Sequence, residues 1–532
     1  MVEKRQEELS RAQFTTMKLE GASPLSTNRW RWLFLYIGVT AYLYLNAFFL
    51  PNIPIHLDGD QTFFWSYTLR MMHGELIYRD FFQFTPPGTD FVFLALFRLF
   101  GARIWVMSAV TVLLGTGLFW VCFSVAKRLM RSDQALLAAC LVLVLVYSRI
   151  MDATHHWFSL LLLLSAVRVL MPAWTTTRIA LAGLLLGFAS FFTQTAGVVG
   201  VTALLLSLVW EGVCTRRTRR DILARQLILL TVFSTMLGTL DAYLIAKLGW
   251  GRLWYFQADY PRRYVESGFQ KFIPSFHGLL SVRKLPDLAR HLFIYASLLI
   301  VYPSVIWRCW RRRGDPALKN ALLLSLIGLF LFLVVITRLN WIRIYGVAGP
   351  ALLLFPWLVN GKFKFHRYVL PAAWTILACV AGAQTWTRHH NSPKRLDLPA
   401  GTAFLSAQKY EKFSWLQQHT KPGDLFYQAV WVNVYPALEL QSPVYLDFIV
   451  ATEETRPEFV ALTVRQLQQT QVKYILWSPV LNGPLNPKRA WEDHLEPIRT
   501  YMHEHYTVVH VFSDRDEVWQ RKMSKVENQI GD

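Results

Sequence analysis

The sequence predicts a polytopic α-helical membrane protein whose C-terminal part forms an extracytoplasmic α/β domain. Apolar runs of about 20 residues, the length that crosses a bilayer, recur as far as position 390. Only 17% of the 532 residues are charged, compared with about 25% in soluble proteins. Beyond position 388, short β-like and helical stretches separated by turn signals replace the long apolar runs.

The N-terminal tail, residues 1–31, is polar and mixed in charge, and no small-residue cleavage site follows the first apolar run. We therefore expect that run to remain as a helix rather than to be removed as a signal peptide. About eleven spans are predicted, at approximately 32–50, 103–126, 134–150, 157–173, 178–193, 196–211, 225–246, 291–307, 319–337, 345–360 and 367–386.

The distribution of Lys and Arg predicts the orientation. These residues concentrate in the N-terminal tail and in short loops on the same side, at 127–133, 215–221, 310–315 and 360–367, which places that side in the cytoplasm. The net charge of +20 thus reflects orientation signals and lipid-headgroup contacts rather than a nucleic-acid partner. An odd number of spans in the inner (plasma) membrane then places the C-terminus outside.

Three large segments face the outside in this topology, at 51–102, 247–290 and 388–532. We therefore divide the chain into a cytoplasmic tail (1–31), a transmembrane domain (32–387) and an extracytoplasmic α/β domain (388–532). In the last of these, β-like runs at 425–430, 472–478 and 506–512 alternate with helical stretches near 403–419, 454–469 and 488–505. Such alternation suggests a partly parallel sheet.

The first outer loop places two carboxylates, Asp58 and Asp60, among turn residues directly after the first span. A helix with one polar stripe is expected from Gln61 to Gly74, and an apolar helix too short to span is expected at 89–100. Both helices are predicted to lie in the membrane interface, with aromatic side chains at headgroup depth. They would hold the two carboxylates where a lipid-linked substrate presents its headgroup.

The stretch DQTFFWSYTLRMMHGELIYRDFFQFTPPG, residues 60–88, resembles the first outer loop of GT-C-fold, polyprenyl-phosphate-sugar-dependent glycosyltransferases. These include the protein O-mannosyltransferase/aminoarabinose transferase type and the bacterial RgtA/B/C/D-like group. Asp60, Gly74, the Tyr-Arg-Asp-Phe element at 78–81 and the double proline at 86–87 match their pattern. The chain departs from it at Gln61, where a second acid is common, and at Thr85, where a basic residue is common.

The resemblance implies inverting transfer of a sugar from a polyprenyl phosphate to a hydroxyl of a glycolipid, polysaccharide or protein acceptor in the cell envelope. Such a reaction needs a carboxylate that takes the acceptor proton, and Asp60 matches the family's catalytic position, with Asp58 as an extra acid. It also needs cations or amides that meet the growing charge of the phosphate. The candidate substrate-binding residues are Arg79, Asp80, Gln194, Arg338 and Arg343.

Structural roles compete with each of these assignments. Asp58 and Asp60 could be a solvated helix end, Arg79 and Asp80 an ion pair that pins the loop, and the two later arginines headgroup contacts. His155 and His156, with Asp152, could bind a metal, but two adjacent histidines without further clear ligands are a weak signal. No metal site is therefore predicted, although a divalent metal is left open.

Other functions remain open from the sequence. A lipid-linked glycan polymerase or ligase would share the same chemistry. A transporter or flippase would require inverted repeats and charges at mid-membrane, whereas the charged residues here collect at the outer surface and no convincing repeat is found. An inactive assembly protein is the third alternative, because the second acid of the family pattern is missing at Gln61.

Overall fold

A computed structural model of the chain describes residues 29–56, 58–262, 284–312, 315, 318–336, 339–359 and 368–522. Five parts of the predictions lie outside these residues: the tail before residue 29, the middle of the second outer segment (263–283), the candidate Arg338, the basic loop 360–367 and the end of the C-terminal domain (523–532).

Helices dominate the described residues up to position 391. In chain order they are α1 (Arg29–Ala47), α2 (Gln61–Met72), α3 (Gly88–Phe100), α4 (Ile104–Ala126), α5 (Ser132–Leu141), α6 (His155–Leu170), α7 (Thr176–Phe192), α8 (Gln194–Cys214), α9 (Arg219–Leu248), α10 (Trp250–Trp254), α11 (Leu285–Arg311), α12 (Lys319–Val335), α13 (Trp341–Val347), α14 (Gly349–Val359) and α15 (Leu370–Asn391). Each predicted span overlaps one of these helices, or the bent pair α13–α14.

Several of the described helices are long and apolar enough to cross a membrane. Five meet this criterion outright: α4, α8, α9, α11 and the continuous helical stretch Ser132–Ile150 that begins with α5. The pair α13–α14, bent by 58°, makes a sixth if it forms one span, and α6, α7, α12 and most of α1 are apolar but shorter. The chain is therefore an integral membrane protein, and the figure of eleven spans stays a prediction.

The bend between α13 and α14 has a local cause. Pro350 lacks an amide hydrogen and cannot donate to the carbonyl four residues earlier, and the helix breaks between Val347 and Gly349. The Asn340 side chain caps the start of α13 by accepting a hydrogen bond from the Arg343 amide at 2.9 Å. The break thus sets off a short helix that carries Arg343.

The helix α2 is more deeply covered than the sequence indicated. Its predicted polar stripe includes Thr62 and Ser66, and both are buried. Its aromatic side chains, which the sequence assigned to lipid headgroups, instead contact the chain beyond residue 391: the Phe63 ring lies 5.3 Å from that of Phe448. Phe64 and Trp65 belong to an apolar cluster with residues of the same late part of the chain.

The residues after α15, hereafter the C-terminal segment (392–522), contain strands and helices. A short antiparallel pair, β1 (Phe48–Phe49) and β2 (Ile53–Pro54), precedes this segment at the start of the first outer loop. Within the segment, a hairpin joins β3 (Lys394–Leu398) to β4 (Gly401–Leu405), and a four-stranded sheet has the order β5-β6-β8-β7. Its strands are β5 (Tyr427–Gln428), β6 (Tyr474–Trp477), β7 (Tyr506–Val511) and β8 (Glu517–Arg521), and only β5–β6 is parallel among these pairs. The helices are α16 (Ala407–His419), α17 (Val434–Leu438), α18 (Pro457–Thr470) and α19 (Glu496–His505).

Candidate active site

The loop that carries Asp58 and Asp60 is attached to the C-terminal segment. The His56 amide donates to the Phe404 carbonyl at 2.9 Å. The Asp58 carboxylate forms an ion pair with Lys409 of α16 and accepts a hydrogen bond from the Asn433 side chain. Burial raises the pKa of Asp58, but the charge of Lys409 and the hydrogen bonds from Lys409 and Asn433 outweigh it, so the pKa lies below its usual value. Asp58 therefore acts as an anionic anchor of the loop.

Asp60 stands at the N-terminus of α2 without capping it, because its side chain makes no hydrogen bond to the first turn. Burial raises the pKa of the Asp60 carboxyl, and the positive charge of Arg343 acts in the opposite direction. A carboxylate whose pKa is raised by burial binds a proton more readily than a solvated one, which suits a general base.

A second carboxyl, Asp152, lies against Asp60. It belongs to the short connection before α6 and accepts hydrogen bonds from the Asp60 backbone amide and, at 3.0 Å, from Trp157 Nε1. Burial raises the pKa of Asp152 well above its usual value, and the negative charge of Asp60 raises it further. Two carboxyls this close do not both ionise readily, so we expect the pair to retain one proton.

Gln61 holds the connection that contains Asp152 against the start of α2. The buried Gln61 Oε1 accepts a hydrogen bond from the Ala153 amide at 3.0 Å and one from the Thr111 hydroxyl at 3.4 Å. The amide at the position where the family pattern has a second acid thus fixes the connection that supplies Asp152. The sequence analysis had considered Asp152 only as a metal ligand, because no spacing rule connects residues 60 and 152.

Arg343 faces the same region from α13. Its charge interacts with Asp60, His155 and His156, and the two imidazole rings lie 3.8 Å apart. Arg343 and His156 line a cavity together with Thr193 and Thr195, at the start of α8. The cavity therefore presents a guanidinium, an imidazole and two hydroxyl groups close to Asp60.

An apolar groove continues from this cavity between α8 and α12. Leu331, Val334 and Val335 line the cavity below Arg343, and a second depression between the same two helices shares Val334. Its other lining residues are Val198, Val199, Thr202, Phe330 and Leu333. The arrangement combines a cationic end with an apolar trough that opens on the side of the helix bundle.

The other predicted substrate-binding residues are placed differently. Gln194 lies beside the cavity, and its Nε2 donates to the Gln257 carbonyl at 3.1 Å. Arg79 and Asp80 form a two-point ion pair with distances of 2.9 and 2.8 Å. The Asp80 carbonyl accepts a hydrogen bond from Arg70 at 3.1 Å, in the last turn of α2 and about 15 Å along the helix from Asp60. The structure thus brings Asp60 and Arg343 together but not Arg79 and Asp80.

A metal-binding cluster is not found in the described part of the chain. There, no three His, Cys, Asp or Glu side chains come together in a way that could hold a metal ion. His155, His156 and Asp152 therefore do not form such a cluster.

Gly59 makes the contact between Asp60 and Asp152 sterically feasible. Its φ of +113° is unfavourable for other L-residues, and an added Cβ would lie 2.8 Å from Asp152 Oδ2. We expect Gly59→Ala to lower the rate of the sugar transfer that the first-loop resemblance implies at least about tenfold, because the backbone penalty of about 1–2 kcal/mol adds to displacement of Asp152. Initial rates and thermal unfolding of the purified protein measure the two effects.

Gly74→Ala is the matched control for this substitution. Gly74 also has a positive φ, +93°, but an added Cβ there would have no heavy atom within 4 Å. Gly74→Ala should therefore lower thermal stability by a similar amount while leaving the rate nearly unchanged. Equal loss of rate in both variants would contradict the importance of the contact with Asp152.

Comparison with known proteins places the chain in a structural class. Residues 85–238, less than half of the chain, match the model of a family described as dolichyl-phosphate-mannose-protein mannosyltransferase. No curated protein sequence matches the chain. ArnT from Cupriavidus metallidurans is similar in structure in its apo state, with a TM-score of 0.57 and 13% identity over 92% of this chain and 97% of that one.

Two further solved structures have the same architecture. ArnT from Cupriavidus metallidurans bound to undecaprenyl phosphate has a TM-score of 0.55 and 12% identity, over 93% of this chain and 99% of that one. The Archaeoglobus fulgidus oligosaccharyltransferase tethered to an acceptor peptide has a TM-score of 0.53 and 10% identity, over 94% and 75%. The chain thus has the GT-C fold. The resemblance seen in the first outer loop is confirmed at the level of that fold.

Proposed function

We propose that this protein is an integral-membrane glycosyltransferase that moves a sugar from a polyprenyl-phosphate donor to a hydroxyl of a cell-envelope acceptor on the outer face. The observation that carries the proposal is the position of Asp60 close to Arg343, where the apolar groove between α8 and α12 ends. One side chain can accept a proton and the other can stabilise a phosphate, while the groove accommodates an isoprenoid chain.

The donor lipid follows from the chemistry of the groove. Apolar side chains of α8 and α12 offer a surface for isoprene units, and Arg343, His156 and the two threonines offer donors to a phosphate. Structural neighbours support this choice: ArnT has been solved with undecaprenyl phosphate, and the archaeal oligosaccharyltransferase AglB with a dolichol-phosphate. We propose Arg338, five positions before Arg343, as a second phosphate contact and Gln194 as a residue that shapes the headgroup site.

The proposed reaction is a single displacement with inversion. The acceptor hydroxyl oxygen attacks the anomeric carbon and forms the new glycosidic bond, while the bond from that carbon to the phosphate oxygen breaks. The hydroxyl proton moves to Asp60, and the electron pair of the broken bond leaves on the polyprenyl phosphate. Arg343 offsets the negative charge that grows on this leaving group.

Asp152 would tune this base. By holding the shared proton of the pair, Asp152 leaves Asp60 ionised. The hydrogen bonds that Asp152 accepts from the Asp60 amide and from Trp157 fix the position of its carboxyl group beside Asp60. In this way it supplies the second acidic group that the sequence pattern lacks at Gln61. We propose the orientation predicted from the basic loops, with a cytoplasmic N-terminus and an extracytoplasmic C-terminus.

The experiment that tests the function supplies the purified protein with a panel of polyprenyl phosphates, each carrying a different radiolabelled monosaccharide, and with a total cell-envelope extract as acceptor. We expect label to leave the lipid phase and free polyprenyl phosphate to appear in equal amount for at least one donor. Absence of transfer from every donor, with folded protein confirmed by its thermal unfolding, would contradict the proposal.

The pH dependence should report the carboxyl pair. Burial raises the pKa of both Asp60 and Asp152, and the base works only when ionised, so the rate should fall with decreasing pH at values above the usual aspartate pKa of about 3.9. Asp152 keeps its proton while Asp60 ionises, so Asp152→Asn leaves the charge beside Asp60 unchanged and should leave this acid limb in place. A pH–rate profile of both proteins tests this, and an acid limb that moves to lower pH by about one unit or more would contradict the assignment of the shared proton to Asp152.

A further inference from the structure

The ion pair of Arg79 and Asp80 lies on the wall of a second cavity, of about 700 Å³. The cavity is formed by the first outer loop, the end of α10 and the helix α18 of the C-terminal segment, and it has no lining residue in common with the cavity at Arg343. The family motif element at 78–81 therefore borders a different site from the one that contains Asp60.

Positively charged, negatively charged and amide side chains all line this cavity. The Arg79 side chain is 51% exposed and that of Asp80 is 31% exposed, and Glu458 is exposed at the start of α18. Gln466 Oε1 accepts a hydrogen bond from the Tyr445 amide at 2.8 Å, and within the described residues no group accepts from its NH2. The cavity thus offers carboxylate acceptors together with guanidinium and amide donors, and its formal charges nearly cancel.

Aromatic rings form the apolar part of the wall. Tyr255 and Phe459 are partly exposed there, and Phe256 and Tyr445 complete the surface behind them. The Tyr445 and Phe459 rings lie 5.9 Å apart. Flat ring faces beside hydrogen-bonding groups suit a ligand that has an apolar C–H face and a rim of hydroxyl groups.

The wall is held in place by a strained residue. Tyr78 adopts a φ of +68°, a left-handed conformation that is uncommon for a bulky side chain and that costs of order 1–3 kcal/mol. Its carbonyl accepts hydrogen bonds from Arg252 Nε at 3.0 Å and from the Tyr445 hydroxyl at 3.2 Å. Strain that surrounding contacts maintain in this way is found at ligand sites more often than elsewhere.

We propose that this cavity binds an uncharged pyranose unit of the acceptor glycan. Asp80, Glu458, Arg79 and the Gln466 amide would pair with adjacent hydroxyl groups, and the faces of Tyr255 and Phe459 would contact the C–H face of the sugar. The near-balance of charge disfavours strongly anionic or cationic ligands. That the bound glycan is an acceptor rests on the proposed transferase function, whereas binding itself does not.

The position of the cavity agrees with a role in holding the acceptor. Tyr255 and Phe256 line it, and the next residue, Gln257, accepts the hydrogen bond from Gln194. Gln194 lies between Thr193 and Thr195 of the cavity at Arg343. One short helical segment thus separates the two sites, so a glycan of several units held in the outer cavity would extend toward Asp60.

The test is saturation-transfer NMR on the full-length protein in nanodiscs, with mannose, glucose and galactose tetrasaccharides as probes and no donor lipid. We expect at least one probe to bind. Glu458→Gln should weaken binding about tenfold, as expected for a lost hydrogen bond to a charged partner, and Gln466→Glu should weaken it about threefold or more through loss of a neutral donor. Gln466→Glu keeps the oxygen that accepts from Tyr445 and replaces the NH2 donor with a negatively charged acceptor.

Gln468→Glu is the matched control, because it makes the same chemical change at an exposed position of α18 outside the cavity. Binding by this variant should equal that of the wild type. No binding of any tetrasaccharide to the wild type, or unchanged binding in both Glu458→Gln and Gln466→Glu, would overturn the proposal. Retained binding by a protein that transfers no sugar would support this site while contradicting the transferase function.

Discussion

Asp60→Asn is expected to lower the rate constant for sugar transfer by about 10³, within the 10²–10⁴ that a positioned general base contributes. The amide has nearly the same shape as the carboxyl but cannot take the acceptor proton. The variant should be as stable as the wild type, because burial disfavours the ionised form of Asp60 and a neutral amide avoids the free-energy cost of burying a charge. Single-turnover transfer rates and thermal unfolding of the same preparation measure the two quantities.

Asp58→Asn provides the comparison, two residues away on the same loop. The carboxylate of Asp58 is 50% exposed and is paired with Lys409, and a pair of this exposure contributes at most about 1 kcal/mol. We expect this variant to retain transfer within about threefold of the wild type. If Asp58→Asn were the inactive variant and Asp60→Asn the active one, the roles assigned to the two carboxylates would be reversed.

Arg343→Gln is expected to lower the transfer rate by 10² to 10³, the usual cost of removing one donor that stabilises developing negative charge. The loss should appear mainly in kcat, because the phosphate gains charge as the bond to the sugar breaks. Arg343→Lys should recover part of the rate, since an ammonium restores the charge but not the planar fork of donors. Steady-state kinetics with a fixed acceptor separates kcat from KM.

Lys284→Gln is the control for loss of charge. Lys284 is exposed at the end of the second outer segment and lines neither the cavity at Arg343 nor the groove. The Lys284→Gln variant should transfer sugar at the wild-type rate. An equal fall in the transfer rate of Lys284→Gln and Arg343→Gln would indicate a general electrostatic effect of the outer surface rather than a phosphate contact.

Local patterns in the sequence located most helices and the candidate base. A run of apolar residues predicts each membrane helix, because side chains that face lipid must be apolar. The loop pattern around Gly74 and the double proline distinguishes Asp60 from Asp58 as the candidate base. The same kind of pattern indicated strands at β5, β6 and β7 but missed the hairpin of β3 and β4, part of which was predicted as helix near 403–419. It also missed β8, in which two adjacent residues are buried and the alternation expected of a strand is absent.

Relations between distant residues could not be predicted in this way. Asp152 lies against Asp60, and Gln61 accepts a hydrogen bond from the neighbouring Ala153 amide, but nothing in the spacing of these residues along the sequence indicates either contact. The aromatic residues of α2 were assigned to the membrane interface because their partners, such as Phe448, lie far along the chain. Arg79 and Asp80 matched the motif, yet the fold of the first loop carries them to the far end of α2.

The attachment of the first outer loop to Phe404, Lys409 and Asn433 has a consequence for biosynthesis. The loop leaves the ribosome about 350 residues before the residues that hold it. During translation, the membrane helices can therefore insert while the first outer loop is still unattached. For the proposed transferase, this means that the loop bearing Asp60 reaches its final position only after the C-terminal segment has been synthesised and has folded onto it, so a partly synthesised chain would not yet carry out the proposed reaction.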